Sequence, residues 1–183
     1  MTSSLRTLAV AASAALLLTL AACSTSPDAA STPSATAEGA TSPIMTGACD
    51  DDSGVTVVVD GSALEDGDVE EWCVTTEEPI VAADAFSIAA VRTEGTEEYG
   101  DQVVCRVNGL PAEDEAIPAE DGSDYFETCD TMPAAFAYWS LWVKPAGGEW
   151  GYAQEGAATQ ELQPGDAVEL LFTLNGEPAA PAS

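Results

Sequence analysis

Cys23 has the most specific chemistry of any residue in the chain. It follows Leu20-Ala21-Ala22, an aliphatic residue and two small ones. That order reads as a bacterial lipobox: the small residues let the backbone enter the signal peptidase, and the thiol accepts a diacylglyceryl group before cleavage. Upstream, Arg6 supplies a positive charge, and Leu8 to Ala22 is an apolar run of fifteen residues. A membrane-spanning helix needs about 20 such residues, so the run fits a signal peptide instead. Residues 1–22 are therefore expected to be a signal peptide and Cys23 the lipid attachment site. Two acyl chains, each worth ~0.8 kcal/mol per buried CH₂, would hold the protein on the outer side of the cell membrane.

The second group of interest is aromatic. Three of the four tryptophans (Trp139, Trp142, Trp150) and two of the four tyrosines (Tyr138, Tyr152) fall within Ala137 to Ala153. Strand alternation puts Tyr138, Ser140 and Trp142 on one face and Trp139, Leu141 and Val143 on the other. Trp150 and Tyr152 project together from a return strand. Tyr138, Trp139, Trp142, Trp150 and Tyr152 are the candidate ligand contacts, for an uncharged or cationic ligand. Two readings stay open. The cluster is either core and hairpin packing, with Trp139, Leu141 and Val143 as the core face, or an exposed platform.

The remaining composition narrows the chemistry by exclusion. The chain has no histidine, which removes His-ligated zinc, Ser-His-Asp and Cys-His catalysis, and an imidazole ligand to cobalt or iron. The formal net charge is −28. Once residues 1–22 are removed, Arg92, Arg106 and Lys144 are the only basic side chains against 32 acidic ones. Nucleic acid, which is held through neutralised phosphates, is excluded as a partner. An anionic membrane surface would repel the domain. The acidic runs Asp50-Asp51-Asp52 and Asp60 to Asp68 do not have the spacing of a calcium loop, so no metal site is expected. Carboxylates are plentiful, but no catalytic motif frames them, and the chain is read as a non-enzyme.

Apart from Cys23 there are four cysteines: Cys49, Cys73, Cys105 and Cys129. An even number outside the membrane points to two disulfides, with three possible connectivities. The sequence-local pairs Cys49–Cys73 and Cys105–Cys129 are favoured, each closing a loop of about 25 residues and contributing roughly 3–4 kcal/mol.

These residues need a scaffold to position them. Residues 23–46 read as a flexible tether of Ser, Thr, Pro, Ala and Gly, with an r.m.s. span of roughly 25–30 Å. Residues 47–175 are one domain, and 176–183 a disordered tail. Val55 to Val59, Glu70 to Thr75, Gln102 to Val107, Phe136 to Val143 and Ala167 to Thr173 read as strands. Residues 79–90 carry helical spacing behind a proline, with a strand expected near Ile88 to Arg92. Leu110 to Phe126 is a long acidic loop, and Lys144 to Gly148 turns the aromatic strand into a hairpin with Glu149 to Gln154. The expected fold class is α+β: a single mixed sheet, one short packed helix and long acidic loops.

Four segments carry a resemblance, in order: GACDDDSGVTVVVDGSALEDGDVEEWCV, YGDQVVCRVNGLPA, CDTMPAAFAYWSLWVKPAGGEWGYAQEGA and PGDAVELLF. Together they resemble a family of secreted actinobacterial proteins related to the transcobalamin C-terminal-like domain, over Cys49 to about Phe172. The resemblance implies a β-grasp-type fold, carries the same four cysteines and implies ligand handling. In vitamin-B12 carriers the equivalent domain closes over one face of the corrinoid, which would place Tyr138, Trp139, Trp142, Trp150 and Tyr152 at the ligand. Where the family has a Gly-Trp-containing closing strand, this chain reads Glu169-Leu170-Leu171-Phe172. The expected function is that of a membrane-anchored extracytoplasmic binding lipoprotein, accessory to uptake of a corrinoid-like or other small-molecule ligand, with no resident cofactor. The alternative is a cell-surface protein–protein interaction module.

Overall fold

The computed structural model describes residues Pro43–Ala182. The lipobox, the apolar run before it and the tether up to residue 42 lie outside the described residues. Among the described residues no helix is long and apolar enough to cross a membrane.

In chain order the elements are β1 (Ile44–Thr46), β2 (Gly54–Asp60), β3 (Val69–Thr75), β4 (Ile80–Val81), α1 (Ala82–Ile88), β5 (Thr93–Thr96) and β6 (Gly100–Val107). They continue with β7 (Ile117–Pro118), β8 (Asp124–Tyr125), β9 (Ala137–Lys144), β10 (Gly151–Tyr152), β11 (Glu161–Leu162) and β12 (Ala167–Leu174). The main sheet has six strands in the order β1-β3-β2-β12-β9-β10. Its central pair, β2 with β12, is parallel, and every other neighbouring pair is antiparallel. Among the described residues the domain is α+β with one helix and two disulfides, Cys49–Cys73 and Cys105–Cys129, but the sheet is not single: three two-stranded pairs, β4 with β11, β5 with β6 and β7 with β8, stand beside the mixed one.

Central position explains the composition of β2 and β12. GVTVVVD and AVELLFTL are dense in β-branched and large apolar residues because both strands are flanked on each side and covered on one whole face. Val55, Val57, Val59, Val168, Leu170 and Phe172 point to that covered face, where Ala82, Ala85 and Phe86 of α1 pack on them. The helix has no side-chain cap, but the backbone N–H groups of Ala82 and Ala83 reach the carbonyls of Gln160 and Ala157. Those bonds satisfy donors that a helix start leaves open. Gly54 is required by packing: a Cβ there would collide with the Val74 carbonyl on β3.

Several expectations are corrected. No strand starts near Ile88. The helix runs through that residue, the chain reverses at Ala90 in a left-handed conformation (φ 59°), and β5 begins only at Thr93. The Leu110 to Phe126 stretch is not wholly loop, since β7 and β8 pair within it. The last tether residues are sheet: β1 adds to the edge of β3.

The tail is not disordered over its described length either. Asn175 and Gly176 are both left-handed (φ 52° and 84°), the pair of angles that a tight two-residue reversal needs. They turn the chain so that Leu174 bridges Glu177. The Thr173 hydroxyl then donates to the Pro178 carbonyl, and Trp150 Nε1 donates to the Ala182 carbonyl. The tail therefore crosses back over the sheet face opposite the helix. Asn108-Gly109 makes the same turn after β6 (φ 53° and 86°).

The long segment after β6 is tied down by Arg106. Its guanidinium donates Nε to the Pro111 carbonyl at 2.8 Å, a terminal nitrogen to the Glu127 carbonyl, and the other to Glu94 Oε1 and Cys129 Sγ. The Glu127 carboxylate accepts from the Cys129 backbone N–H and from the Tyr125 hydroxyl. Burial, then the bond to Glu127, pushes the Tyr125 hydroxyl up to about 12.

Candidate functional site

The sheet has two unlike faces. Facing away from the helix are Thr56, Val58 and Asp60 of β2, Glu71 of β3, Glu169 and Leu171 of β12, and Tyr138, Ser140, Trp142 and Lys144 of β9. The pairing register puts Glu71, Val58, Glu169, Trp142 and Tyr152 in one row across five strands. The aromatic strand and an acidic stripe thus share one surface.

The structure separates the five aromatic candidates. Trp139 belongs to the core: it is 7% exposed, packs edge-on against Phe172 at 5.3 Å between centroids, and donates its indole N–H to the Leu110 carbonyl. It offers no ligand surface on the acidic face. Trp142 is on that face but is also buried. Its Nε1 donates to Ser140 Oγ, which in turn donates to the Leu171 carbonyl. Tyr152 of β10 stacks on Trp142, with centroids 3.9 Å apart and planes at 28°, and so shields it from solvent. The second half of the hairpin thus does what a second helix would do. Partial burial, then Tyr138 alongside, raises the Tyr152 hydroxyl above its ordinary value.

Trp150 is different. Its ring is half-buried at the rim of a cavity, with the Lys144 ammonium 5.7 Å from its centroid. The cavity has a volume of about 460 Å³, within the range of small-molecule sites. The buried Glu169, the half-buried Asp60 and the exposed Glu71 line it together with Lys144, Trp150 and Ala182 of the folded-back tail. Glu169 is 3% exposed. Burial first, and the carboxylates of Asp60 and Glu71 next, push its carboxyl up to about 7. Sequence reasoning missed Glu169 and Glu71, and met Asp60 only at the head of an acidic run set aside as a metal site. A signal was present: a lone glutamate inside AVELLFT is out of place in a strand that is otherwise apolar.

The Tyr152–Trp142 stack gives a direct test. Tyr152→Ala should cost about 1 kcal/mol, the worth of a good aromatic pair, and shift Trp142 emission to the red. An unchanged emission spectrum would mean that Tyr152 does not cover the indole.

A scan against family models and searches of curated proteins and of solved structures found no match for this chain.

Proposed function

We propose that this protein is a lipid-anchored extracytoplasmic binding module that holds a small molecule in the cavity on its acidic sheet face. The cavity carries the reading: a buried carboxylate, an indole and the end of the chain's own tail line it together. The lipobox at Leu20 to Cys23 supports the anchor. A β-grasp-type, transcobalamin-like reading draws support from the strand order. Leaving aside edge strand β1, the first and last strands lie parallel at the centre, and the helix sits between the two flanking hairpins in sequence. Size argues against a corrinoid as the enclosed ligand. A cavity of about 460 Å³ suits a compact or drug-sized ligand and is too small to enclose a whole corrinoid.

Two experiments test this reading. Cys23→Ala should move the protein from the membrane fraction to the soluble one, and unchanged membrane association would remove the anchor. The secreted Cys23→Ser chain should show saturable shifts of the Trp150 indole N–H resonance with members of a panel of compact metabolites. Cobinamide is the oversized control. A panel that leaves Trp150 unmoved would sink the small-molecule reading. The second reading, a protein-interaction module, draws on Phe126 and Met132, which are 44% and 59% exposed either side of Cys129. A protein bound there would perturb that loop and leave Trp150 alone.

A further inference from the structure

Six polar or charged side chains among the described residues are buried: Thr96, Arg106, Glu127, Ser140, Glu169 and Thr173. Five have partners within the chain. Glu169 alone has neither a hydrogen bond nor an ion pair among the described residues. Among the described residues no side-chain oxygen or nitrogen is both sealed from solvent and unpartnered, so the Glu169 oxygens open into the cavity that they line. Its oxygens reach solvent and take no donor from the described residues, so they are free to accept from a ligand. Here the missing donor has a place to sit.

The cavity also holds one ammonium of its own, and that group is spent elsewhere. Lys144 lies over Trp150 and makes no ion pair with any described carboxylate. Three carboxylates against one ammonium leave the cavity net negative. A chelated divalent ion does not fit. Calcium needs several oxygens at 2.3–2.6 Å, and Glu71 stands two strands from Glu169, roughly 10 Å away. The only group of three possible metal donors close together among the described residues is Glu94 with Cys105 and Cys129, whose sulfurs are already bonded to each other.

We propose that the cavity binds a compact molecule carrying a primary ammonium group, which sits on the Glu169 carboxylate while its apolar part lies against Trp150. A primary ammonium brings three N–H donors, whereas a quaternary one brings charge and no donor. The inference rests on the small-molecule reading above and names its ligand class. The charged groups facing Glu169 in the cavity are Asp60 from β2, Glu71 from β3 and Lys144 from β9. With the Glu169 carboxyl pushed up to about 7, ammonium binding should weaken about tenfold per pH unit below that point.

The test uses 2-phenylethylamine, 2-phenylethanol and tetramethylammonium as probes of the Cys23→Ser chain, followed by the Trp150 indole N–H resonance. At pH 8 the amine should bind at least tenfold more tightly than the alcohol or the quaternary ion. Glu169→Gln, which keeps the shape and removes the charge, should erase that difference. If amine and tetramethylammonium bind equally, general attraction to a chain of net charge −28 explains the effect and the inference falls. If amine and alcohol bind equally and Glu169→Gln changes neither, the inference fails while the small-molecule reading stands. If no probe moves Trp150 but the metabolite panel does, the ammonium class alone is overturned. If nothing moves it, both fall.

Discussion

Arg106→Met is expected to destabilise the domain by roughly 3 kcal/mol and to lower its Tm by about 10 °C with both disulfides intact. Methionine matches the aliphatic stem but donates nothing. The carbonyls of Pro111 and Glu127 both lose their guanidinium donor. Each buried acceptor left open costs about 1–3 kcal/mol. The ion pair itself is a minor part, because its Glu94 end is 57% exposed and screened. Glu94→Gln should therefore cost well under ~1 kcal/mol. Arg106→Lys should recover little, since one ammonium cannot span the positions that a planar fork reaches. A Tm drop below about 3 °C for Arg106→Met would show that the Cys105–Cys129 bridge holds the loop unaided.

Glu169→Gln has the opposite sign, and its size depends on pH. The Glu169 carboxyl rises from 4.5 to about 7 on folding, so the native state binds this proton more tightly than the unfolded chain does. Between those values folding takes up a proton, and stability falls as pH rises through the window. Above it, the penalty for the anion is complete, and solvent reaching the carboxylate through the cavity keeps it below the full 1.36 kcal/mol per unit, at about 1–2 kcal/mol. Glutamine escapes it. The variant should exceed the parent by about 1–2 kcal/mol at pH 8 and by nearly nothing near pH 4.5, read by denaturant unfolding across the range. Parallel stability curves for the two proteins would show that Glu169 titrates like an exposed carboxyl. An active site or binding site often carries such a cost, which a ligand then offsets.

The fold was largely legible, for identifiable reasons. Val55 to Val59 and Ala167 to Thr173 announce strands because β-branched and apolar runs bounded by turn pairs have few other stable arrangements. The two disulfides are the sequence-local pairing, favoured among three possible connectivities, and each has a separation of 24 residues. What local pattern could not supply was neighbour order: nothing within Ala167 to Leu174 states that this strand enters between β2 and β9. Pro-Ala composition hides the tail's turn, although the same Asn-Gly dipeptide that reverses the chain after β6 recurs at Asn175-Gly176. The site was half legible. Alternation placed Trp142 and Tyr138 opposite Trp139 correctly. The row from Glu71 to Tyr152 needs a register across five strands, and no single segment contains it.

The parallel pairing of β2 with β12 also constrains when the domain can fold. Thr56 and Ala167 are sheet neighbours at opposite ends of the domain's sequence. As the chain emerges N-terminus first, β2 can pair with β3, but its other edge stays open until the last strand arrives. Hairpins close in microseconds, whereas domains dominated by non-local pairing need milliseconds to seconds. A chain stopped before residue 167 would leave β9 without its principal partner and Val57 without its neighbour Val168. Completion of this core is therefore a late event that waits for the C-terminal strand to arrive.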